Sequence, residues 1–201
     1  LVWRGGQGRG AAPEGPAAAL QRLTPPKDGS SREQARKLFQ RDNSVRGEVV
    51  KKFQPALELK GDVQRGHALY TPRCASCHRA GSEGFAVGPD LASVAANGRE
   101  KLLVSILDPS AEVAAAYVAY SVETKLGEFF LGVLAGDNLS TVTLKLPNGE
   151  LARVPRETVA SLRASDKSLM PDGLEEGLSA QDVADLLEFV TQGTQSRDTP
   201  R

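Results

Sequence analysis

Cys74-Ala75-Ser76-Cys77-His78 contains the only two cysteines among the 201 residues of this chain. The C-x-x-C-H pattern is the attachment site of a c-type haem. The two thiols add to the vinyl groups of the haem, and the histidine that follows reaches the iron from the proximal side. Since no cysteine is left for another role, the motif predicts one covalently bound haem c, held by Cys74, Cys77 and His78.

The only methionine, Met170, is predicted to be the second axial ligand. It lies downstream of the haem motif in Ser168-Leu169-Met170-Pro171, a proline-bounded loop just before a predicted helix. A Met/His pair of axial ligands raises the reduction potential, because the soft thioether favours ferrous iron. The alternative is a methionine that fills a gap in the core, and the position of Met170 favours the ligand.

Other uses of the two cysteines are weaker interpretations. An iron–sulfur cluster is usually held by four thiolates. A structural zinc site needs four ligands, but Cys74, Cys77 and His78 are closely spaced and His67 would have to be the fourth. A redox-active C-x-x-C pair is expected in a βαβ context, whereas the residues before Cys74 have a helical pattern.

The composition is ordinary for a soluble globular protein, with 40% hydrophobic and 25% charged residues. The chain has 25 basic and 25 acidic residues, so its formal net charge is +0. This balance does not predict nucleic-acid binding. No apolar run is long enough to span a bilayer, so we expect no transmembrane segment in this chain.

The chain divides into four predicted segments. Residues 1–29 are rich in Gly, Ala and Pro and are interpreted as a flexible linker or tail. Residues 30–59 are a helical lead-in, residues 60–195 form the haem domain, and residues 196–201 are a short tail. In the lead-in, the spacing predicts one helix over 31–41 and a second that ends near Pro55.

The first helix of the haem domain is predicted to cross the last one. Asp62 is a plausible N-cap of the first helix, and Gly66 follows inside it, where Gly costs about 1 kcal/mol relative to Ala. A close helix–helix crossing explains such a glycine. The last helix opens with Ser179 and Asp182 as its cap and carries an apolar stripe of Val183, Leu186, Leu187 and Val190.

Gly88-Pro89-Asp90-Leu91 follows the haem motif by one loop. A proximal histidine needs its second ring nitrogen hydrogen-bonded, usually to a carbonyl, and the carbonyl of Pro89 is the candidate. A simple Gly-Pro turn is compatible with this role. Pro89 and Leu91 are therefore predicted to belong to the cofactor site. Residues 102–107 predict a helix that stops before Pro109, with one face lining the haem pocket.

Residues 116–164 show alternation with a period of two, which is typical of strands with one buried face. Asn148-Gly149 is a strong signal for a type I′ hairpin turn, and Gly127 and Asp137-Asn138 mark other turns. We predict four or five short antiparallel strands, inserted between the pocket helix and the Met170 loop. The insertion is expected to act either as a lid over the haem or as a sheet edge that docks a partner.

Taken together, these motifs resemble the C-terminal haem-binding domain of large planctomycete- and verrucomicrobium-type proteins described as membrane-bound or sugar-type dehydrogenases. The resemblance runs from about Val49 to Val190. The motifs that carry it are Gly61-Asp62, Arg65-Gly66, Cys74-x-x-Cys77-His78, Val87-Gly88-Pro89-Asp90-Leu91, Ile106-Leu107-Asp108-Pro109, Tyr120-x-Val122-Glu123-Thr124, Ser168-Leu169-Met170-Pro171 and Ala184-Asp185-Leu186.

The resemblance implies a class I-like cytochrome c core. With the small antiparallel β-sheet that the alternating pattern inserts between the pocket helix and the Met-ligand loop, the predicted fold is mainly α. The resemblance implies His78 and Met170 as axial ligands. It also implies haem attachment outside the cytoplasm, so a periplasmic or otherwise extracytoplasmic location is expected. The expected partners are redox donor and acceptor proteins, among them a dehydrogenase domain or a multi-subunit complex. Relatives commonly have a histidine where this chain has Ala86.

With both axial positions filled, the iron has no open site for a substrate, so we expect a carrier of single electrons and not an enzyme. One alternative is a haem enzyme, or a sensor that reacts with a gas or peroxide after a labile Met170 leaves the iron. Another is a mainly structural subunit of an assembly. His67 is expected to be exposed on its helix. Solvated surface positions are likewise favoured over haem propionate contacts for Arg73, Arg79 and Arg99.

Overall fold

Helices form both ends of the region that the computed structural model describes, residues 43–194, and a β-sheet lies between them in sequence. The predicted linker 1–29, the predicted helix over 31–41 and the tail 196–201 lie outside the described residues. The predicted segment boundaries therefore stay predictions.

Five α-helices occur in the described region: α1 (Asn43–Phe53), α2 (Val63–Arg73), α3 (Leu91–Val94), α4 (Arg99–Leu107) and α5 (Ala180–Glu188). A 3₁₀ turn, Gln54–Leu57, continues α1, so this helix ends near Pro55 as predicted. The last helix continues into a π-helical turn, Phe189–Gly193. No helix of residues 43–194 is long and apolar enough to cross a membrane.

The helix ends follow the local sequence. The carboxylate of Asp62 accepts hydrogen bonds from the amides of Gln64 (3.0 Å) and Arg65 (2.9 Å), which satisfies two free N–H groups at the start of α2. Ser179 and Asp182 form the reciprocal capping box of α5. The fourth helix ends two residues before Pro109. These three predictions are confirmed.

The predicted crossing of the first and last helices of the haem domain is also confirmed. A Cβ placed on Gly66 would overlap the backbone carbonyl of Asp185 and would lie 2.7 Å from the Cβ of Phe189. Only a residue without a side chain therefore allows α2 to approach α5 this closely. The crossing carries a charged contact as well, because the buried Asp185 carboxylate accepts hydrogen bonds from Arg65 Nε (2.6 Å) and the Asp62 amide (2.8 Å).

The helices share one hydrophobic core. It contains buried side chains from all five helices. Its members include Phe53, Tyr70, Leu91, Leu102, Leu103, Leu107, Val183, Leu187 and Phe189.

The sheet has five strands, β1 (Ala119–Thr124), β2 (Phe129–Asp137), β3 (Thr141–Lys145), β4 (Leu151–Pro155) and β5 (Val159–Ala164), in the order β4-β3-β2-β1-β5. All neighbouring strands are antiparallel. The turn between β3 and β4 has positive φ at both Asn148 (62°) and Gly149 (72°), which is the type I′ conformation that this dipeptide predicts.

One face of the sheet forms a hydrophobic core of its own. Val122, Val142 and Leu144 are fully buried there, and Phe130 and Leu162 pack against them. This cluster is distinct from the core that the helices share.

The prediction of a mainly α fold is wrong. The structure has 41% helix and 22% strand, with a five-stranded antiparallel sheet over residues 119–164, so the fold is mixed α and β. The alternating pattern located the strands correctly. The share of the fold that the strands make up was underestimated, because the helices are short and the sheet has a core of its own.

Candidate haem site

The C-x-x-C-H motif forms a tight turn at the end of α2. The Cys74 carbonyl accepts hydrogen bonds from the amides of Cys77 (3.1 Å) and His78 (2.8 Å). The turn begins while the helix is ending, because the Cys74 amide still donates to the Tyr70 carbonyl (2.8 Å). Both thiols are free and half-buried. The motif residues thus lie on one compact segment, residues 74–78, which we call the attachment turn.

His78 is held by the hydrogen bond that the sequence predicted. Its Nδ1 lies 2.8 Å from the carbonyl oxygen of Pro89. A carbonyl only accepts, so Nδ1 carries the proton and Nε2 keeps its lone pair. Burial lowers the pKa of His78, and the Pro89 hydrogen bond opposes that lowering only in part. The ring is therefore neutral at neutral pH, with Nε2 as the atom that can bind iron.

The segment 87–91 is fitted closely around this imidazole. A Cβ on Gly88 would lie 2.6 Å from Cε1 of His78, so the glycine leaves room for the ring. The amides of Val87 and Gly88 both donate to the Cys77 carbonyl, at 3.0 and 2.7 Å. These contacts fix the Pro89 carbonyl relative to the attachment turn.

Leu91 is buried at the start of α3, and its amide donates to the carbonyl of Arg79 (2.8 Å). Asp90 caps α3 through the Ala92 amide (3.0 Å) and accepts a hydrogen bond from Arg79 Nε (2.8 Å). The structure therefore brings together Cys74, Cys77, His78, Pro89 and Leu91, five of the six residues predicted for the site. Whether Leu91 contacts a haem stays a prediction.

Tyr70 is a site residue that the sequence reasoning did not identify. Its ring is fully buried, and its hydroxyl lies 2.8 Å from the His78 carbonyl and 3.2 Å from the Glu83 carbonyl. Gly84 permits this approach, because a Cβ there would overlap the hydroxyl of Tyr70. No sequence signal connects Tyr70 to a carbonyl eight residues later.

The chemistry of the donor set fits a covalently attached haem. The two thiols are not paired with each other, and burial raises the pKa of Cys74 to about 11, so this thiol is neutral at pH 7. Among residues 43–194 no group of three or more His, Cys, Asp and Glu side chains is placed to hold a metal ion. The zinc interpretation, which needs a closed set of such ligands, therefore has no support in this region.

Met170, the sixth predicted site residue, is half-buried on a separate loop. Its amide donates to the hydroxyl of Ser168 (3.1 Å), and the Ser168 amide donates to the hydroxyl of Ser110 (3.1 Å). Because Ser110 closely follows α4, this loop is connected to the end of the predicted pocket helix.

His67 is not the exposed helix residue that we expected. It is half-buried, its Nε2 donates a 2.6 Å hydrogen bond to Glu83, and its ring packs against Phe189. Among the three arginines, Arg79 pairs with Asp90. Arg99 pairs with Glu188 (2.7 Å) and also donates to backbone carbonyls, so these two side chains have structural partners.

The β3–β4 turn contacts the attachment turn directly. The amide of Asn148 donates to the Ser76 carbonyl (2.7 Å), between the two cysteines. Gly149 lies against the ring of Phe85, where a Cβ would come within 2.8 Å of Cδ1. The ammonium of Lys145 lies 3.4 Å from the Ala86 carbonyl. The sheet therefore covers one side of the attachment turn.

Comparison with known families agrees with this arrangement. Residues 63–127, about a third of the chain, match the family model described as Cytochrome c. The matched region begins with α2 and includes the attachment turn, His78 and Pro89. A search of curated proteins found no match to the chain. The family match indicates a haem protein of electron transfer, with haem c as the implied cofactor.

Proposed function

We propose that this chain is a monohaem c-type cytochrome that carries single electrons, with His78 and Met170 as the axial ligands. The observation that supports it best is the hydrogen bond from His78 Nδ1 to the Pro89 carbonyl, next to two free cysteines in C-x-x-C-H order. This contact leaves Nε2 of His78 with a lone pair that would bind the iron of a haem attached to Cys74 and Cys77.

Haem c supplies the one-electron chemistry when bound. The role of the protein's own residues is to hold the haem and to orient its ligands. Cys74 and Cys77 are the covalent anchors, and Pro89 fixes the tautomer of His78 and increases the basicity of its Nε2. Met170 would supply the second ligand, a thioether, which favours the ferrous state.

In this proposal the chain works outside the cytoplasm, in the periplasm or an equivalent compartment, and exchanges electrons with a donor and an acceptor protein. A dehydrogenase domain or a multi-subunit redox complex is the proposed setting. The sequence resemblance to haem domains of large dehydrogenases supports this setting, as does a sheet that adds surface next to the attachment turn.

The test is the visible absorption spectrum of the haem-loaded protein, oxidised and reduced, compared with the Met170→Leu variant. Leucine keeps the approximate volume and removes the sulfur. We expect sharp low-spin bands in both redox states and, in the oxidised protein, a weak charge-transfer band from iron–sulfur bonding that the variant lacks. We also expect a lower reduction potential in the variant, because a thioether stabilises ferrous iron.

Two results would redirect the proposal. A high-spin spectrum in the unmodified protein would mean an open iron site and would favour an enzyme or sensor. An unchanged charge-transfer band in Met170→Leu would assign the distal position to another side chain. A chain that binds no haem when it is produced with its attachment machinery would overturn the proposal as a whole.

A further inference from the structure

The loop that carries Met170 is connected to the end of α4 on both sides. Before Met170, the Ser168 amide donates to the Ser110 hydroxyl. After Met170, Glu175 pairs with Arg46, which also donates to the Leu107 carbonyl. We call residues 168–175 the distal loop. Both of its connections end within four residues of chain, 107–110.

Arg46 uses its whole guanidinium group in these contacts. Nε donates to the carbonyl of Leu107 (2.7 Å), and Nη2 also contacts that oxygen. Nη1 and Nη2 donate to the two carboxylate oxygens of Glu175, at 2.9 and 3.0 Å. The pair is thus a two-pronged arginine–carboxylate contact, the strongest geometry for such a pair. A cation is also favourable at the carbonyl end of α4.

The pair matters because Glu175 is buried, with 9% of its surface exposed. Burial raises the pKa of this carboxyl, but the hydrogen bonds from Arg46, a backbone hydrogen bond and the charges of Arg46 and Lys52 together outweigh burial and lower the pKa, so the group is charged at neutral pH. The nearby charges do not replace Arg46. Lys52 acts on Glu175 only at longer range, and Asp172 contacts Arg46 itself, at 3.8 Å.

A buried carboxylate without its partner is strongly destabilising. If Arg46 were absent, Glu175 would gain most by moving into water, and the distal loop would have to open to let it do so. A groove already separates α1 from this part of the loop, lined by Val49, Lys52 and Phe53 on one side and by residues 175–178 on the other.

We propose that Arg46 is a positioning residue for Met170, which it keeps in place by holding Glu175 and the end of α4 together. The inference rests on the proposed ligation of iron by Met170. It also assigns a role to α1, which lies outside the region that matches the cytochrome c family, residues 63–127.

The experiment measures how tightly added imidazole binds to the oxidised, haem-loaded protein, since imidazole competes with Met170 for the iron. In Arg46→Gln we expect the association constant to increase about 10- to 100-fold, because a hydrogen bond to a charged group contributes that much. The amide of Met170 should exchange with solvent faster, whereas the amide of Val142 in the sheet should not.

Glu175→Gln tests the physical reason. It removes the buried charge, so imidazole binding should increase less than in Arg46→Gln. The double variant Arg46→Gln/Glu175→Gln should bind imidazole more weakly than Arg46→Gln alone, since no carboxylate is left unpaired. The matched control is Arg156→Gln, which breaks the 2.9 Å pair with Asp137 on the sheet and should leave imidazole binding unchanged.

Failure of this inference is distinguishable from failure of the proposed function. If Met170→Leu binds imidazole no better than the unmodified protein, Met170 is not the ligand. If Met170→Leu binds imidazole more tightly but Arg46→Gln does not, Met170 is the ligand and the role of Arg46 is wrong. Should Arg46→Gln fail to fold, Arg46→Lys takes its place. Lysine keeps the positive charge but cannot donate to both carboxylate oxygens as a guanidinium does, so the association constant for imidazole should increase less. An unchanged association constant would overturn the inference.

Discussion

The amide of Asn148 donates a 2.7 Å hydrogen bond to the carbonyl of Ser76, and so joins the tip of a β-hairpin to the segment that carries both cysteines. In sequence, two helices (α3 and α4) and three strands (β1 to β3) lie between the two residues. Their contact makes the sheet a support for the attachment turn. The roles of the sheet as a lid over the haem or as a docking edge stay predictions.

Gly149→Ala should weaken that support. Alanine at this position has an unfavourable left-handed conformation, with φ of 72°, and its Cβ would approach the ring of Phe85 to 2.8 Å. We expect the free energy of unfolding to fall by about 2–3 kcal/mol, of which the left-handed backbone costs about 1–2. The Asn148 amide should exchange faster, as measured by hydrogen exchange.

Gly127→Ala is the matched control for this prediction. Gly127 also has positive φ, 83°, but no atom lies within 4 Å of a Cβ built there. The control should show the backbone cost alone. Equal losses in the two variants would mean that the Phe85 contact contributes nothing.

Gly66→Ala should destabilise the crossing of α2 and α5. The added methyl group meets the Asp185 carbonyl and the Phe189 Cβ, both of which are fixed by a helix backbone. Overpacking of this kind costs about 1–3 kcal/mol, and we expect the upper end in a denaturant titration. Gly47→Ala, in α1 with open space around it, should instead stabilise the protein by up to about 1 kcal/mol. A neutral Gly66→Ala would show that the helices can separate without cost.

Gly88→Ala should displace the imidazole of His78, since the new Cβ would lie 2.6 Å from Cε1. The expected result in haem-loaded protein is a changed reduction potential and a shifted oxidised spectrum, with far-UV circular dichroism retained. Gly136→Ala in β2, where no neighbour lies within 4 Å, is the control that should leave the potential unchanged. An unchanged potential in Gly88→Ala would show that the proximal side tolerates a methyl group.

Asp185 should make stability depend on pH. Burial raises the pKa of this carboxyl, but hydrogen bonds from Arg65, Gln181 and the Asp62 amide together outweigh burial and lower it. A lowered pKa in the folded state gives a stability contribution that is complete above the unfolded value, about 3.9, and is lost as the pH falls through the folded value.

Asp185→Asn should therefore cost about 2 kcal/mol at pH 7, the size of a hydrogen bond to a charged group, and the cost should shrink in acid. Urea titrations between pH 7 and pH 3 measure it. Asp166→Asn changes an exposed carboxylate and is the control. A constant cost across this pH range would assign the loss to packing and not to charge.

Local signals in the sequence predicted much of this structure. The caps at Asp62 and Ser179, the Asn148-Gly149 turn and the Pro89 contact each depend on residues close in sequence, and all are present. The crossing at Gly66 joins distant helices, and the cost of a glycine inside a helix was the signal for it. Two of the missed contacts join distant parts of the chain, Arg46 to Glu175 and Asn148 to Ser76, and the third joins Tyr70 to the His78 carbonyl across a helix end. No local pattern specifies such partners, since each side chain could satisfy its charge or hydrogen bond elsewhere.

The first and last strands of the sheet are neighbours, and just beyond them the Ser165 amide donates to the Ala119 carbonyl (2.8 Å). The polypeptide thus leaves the helical region and returns to it at almost the same point. An insertion of about 45 residues at this point costs the helical region little more entropy than a short loop would, because the entropy cost of closing a loop grows only slowly with its length. The sheet is therefore an insertion whose two ends lie close together. A short Gly/Ser bridge in place of residues 120–164 is a practical route to a version of the domain that contains only the helices.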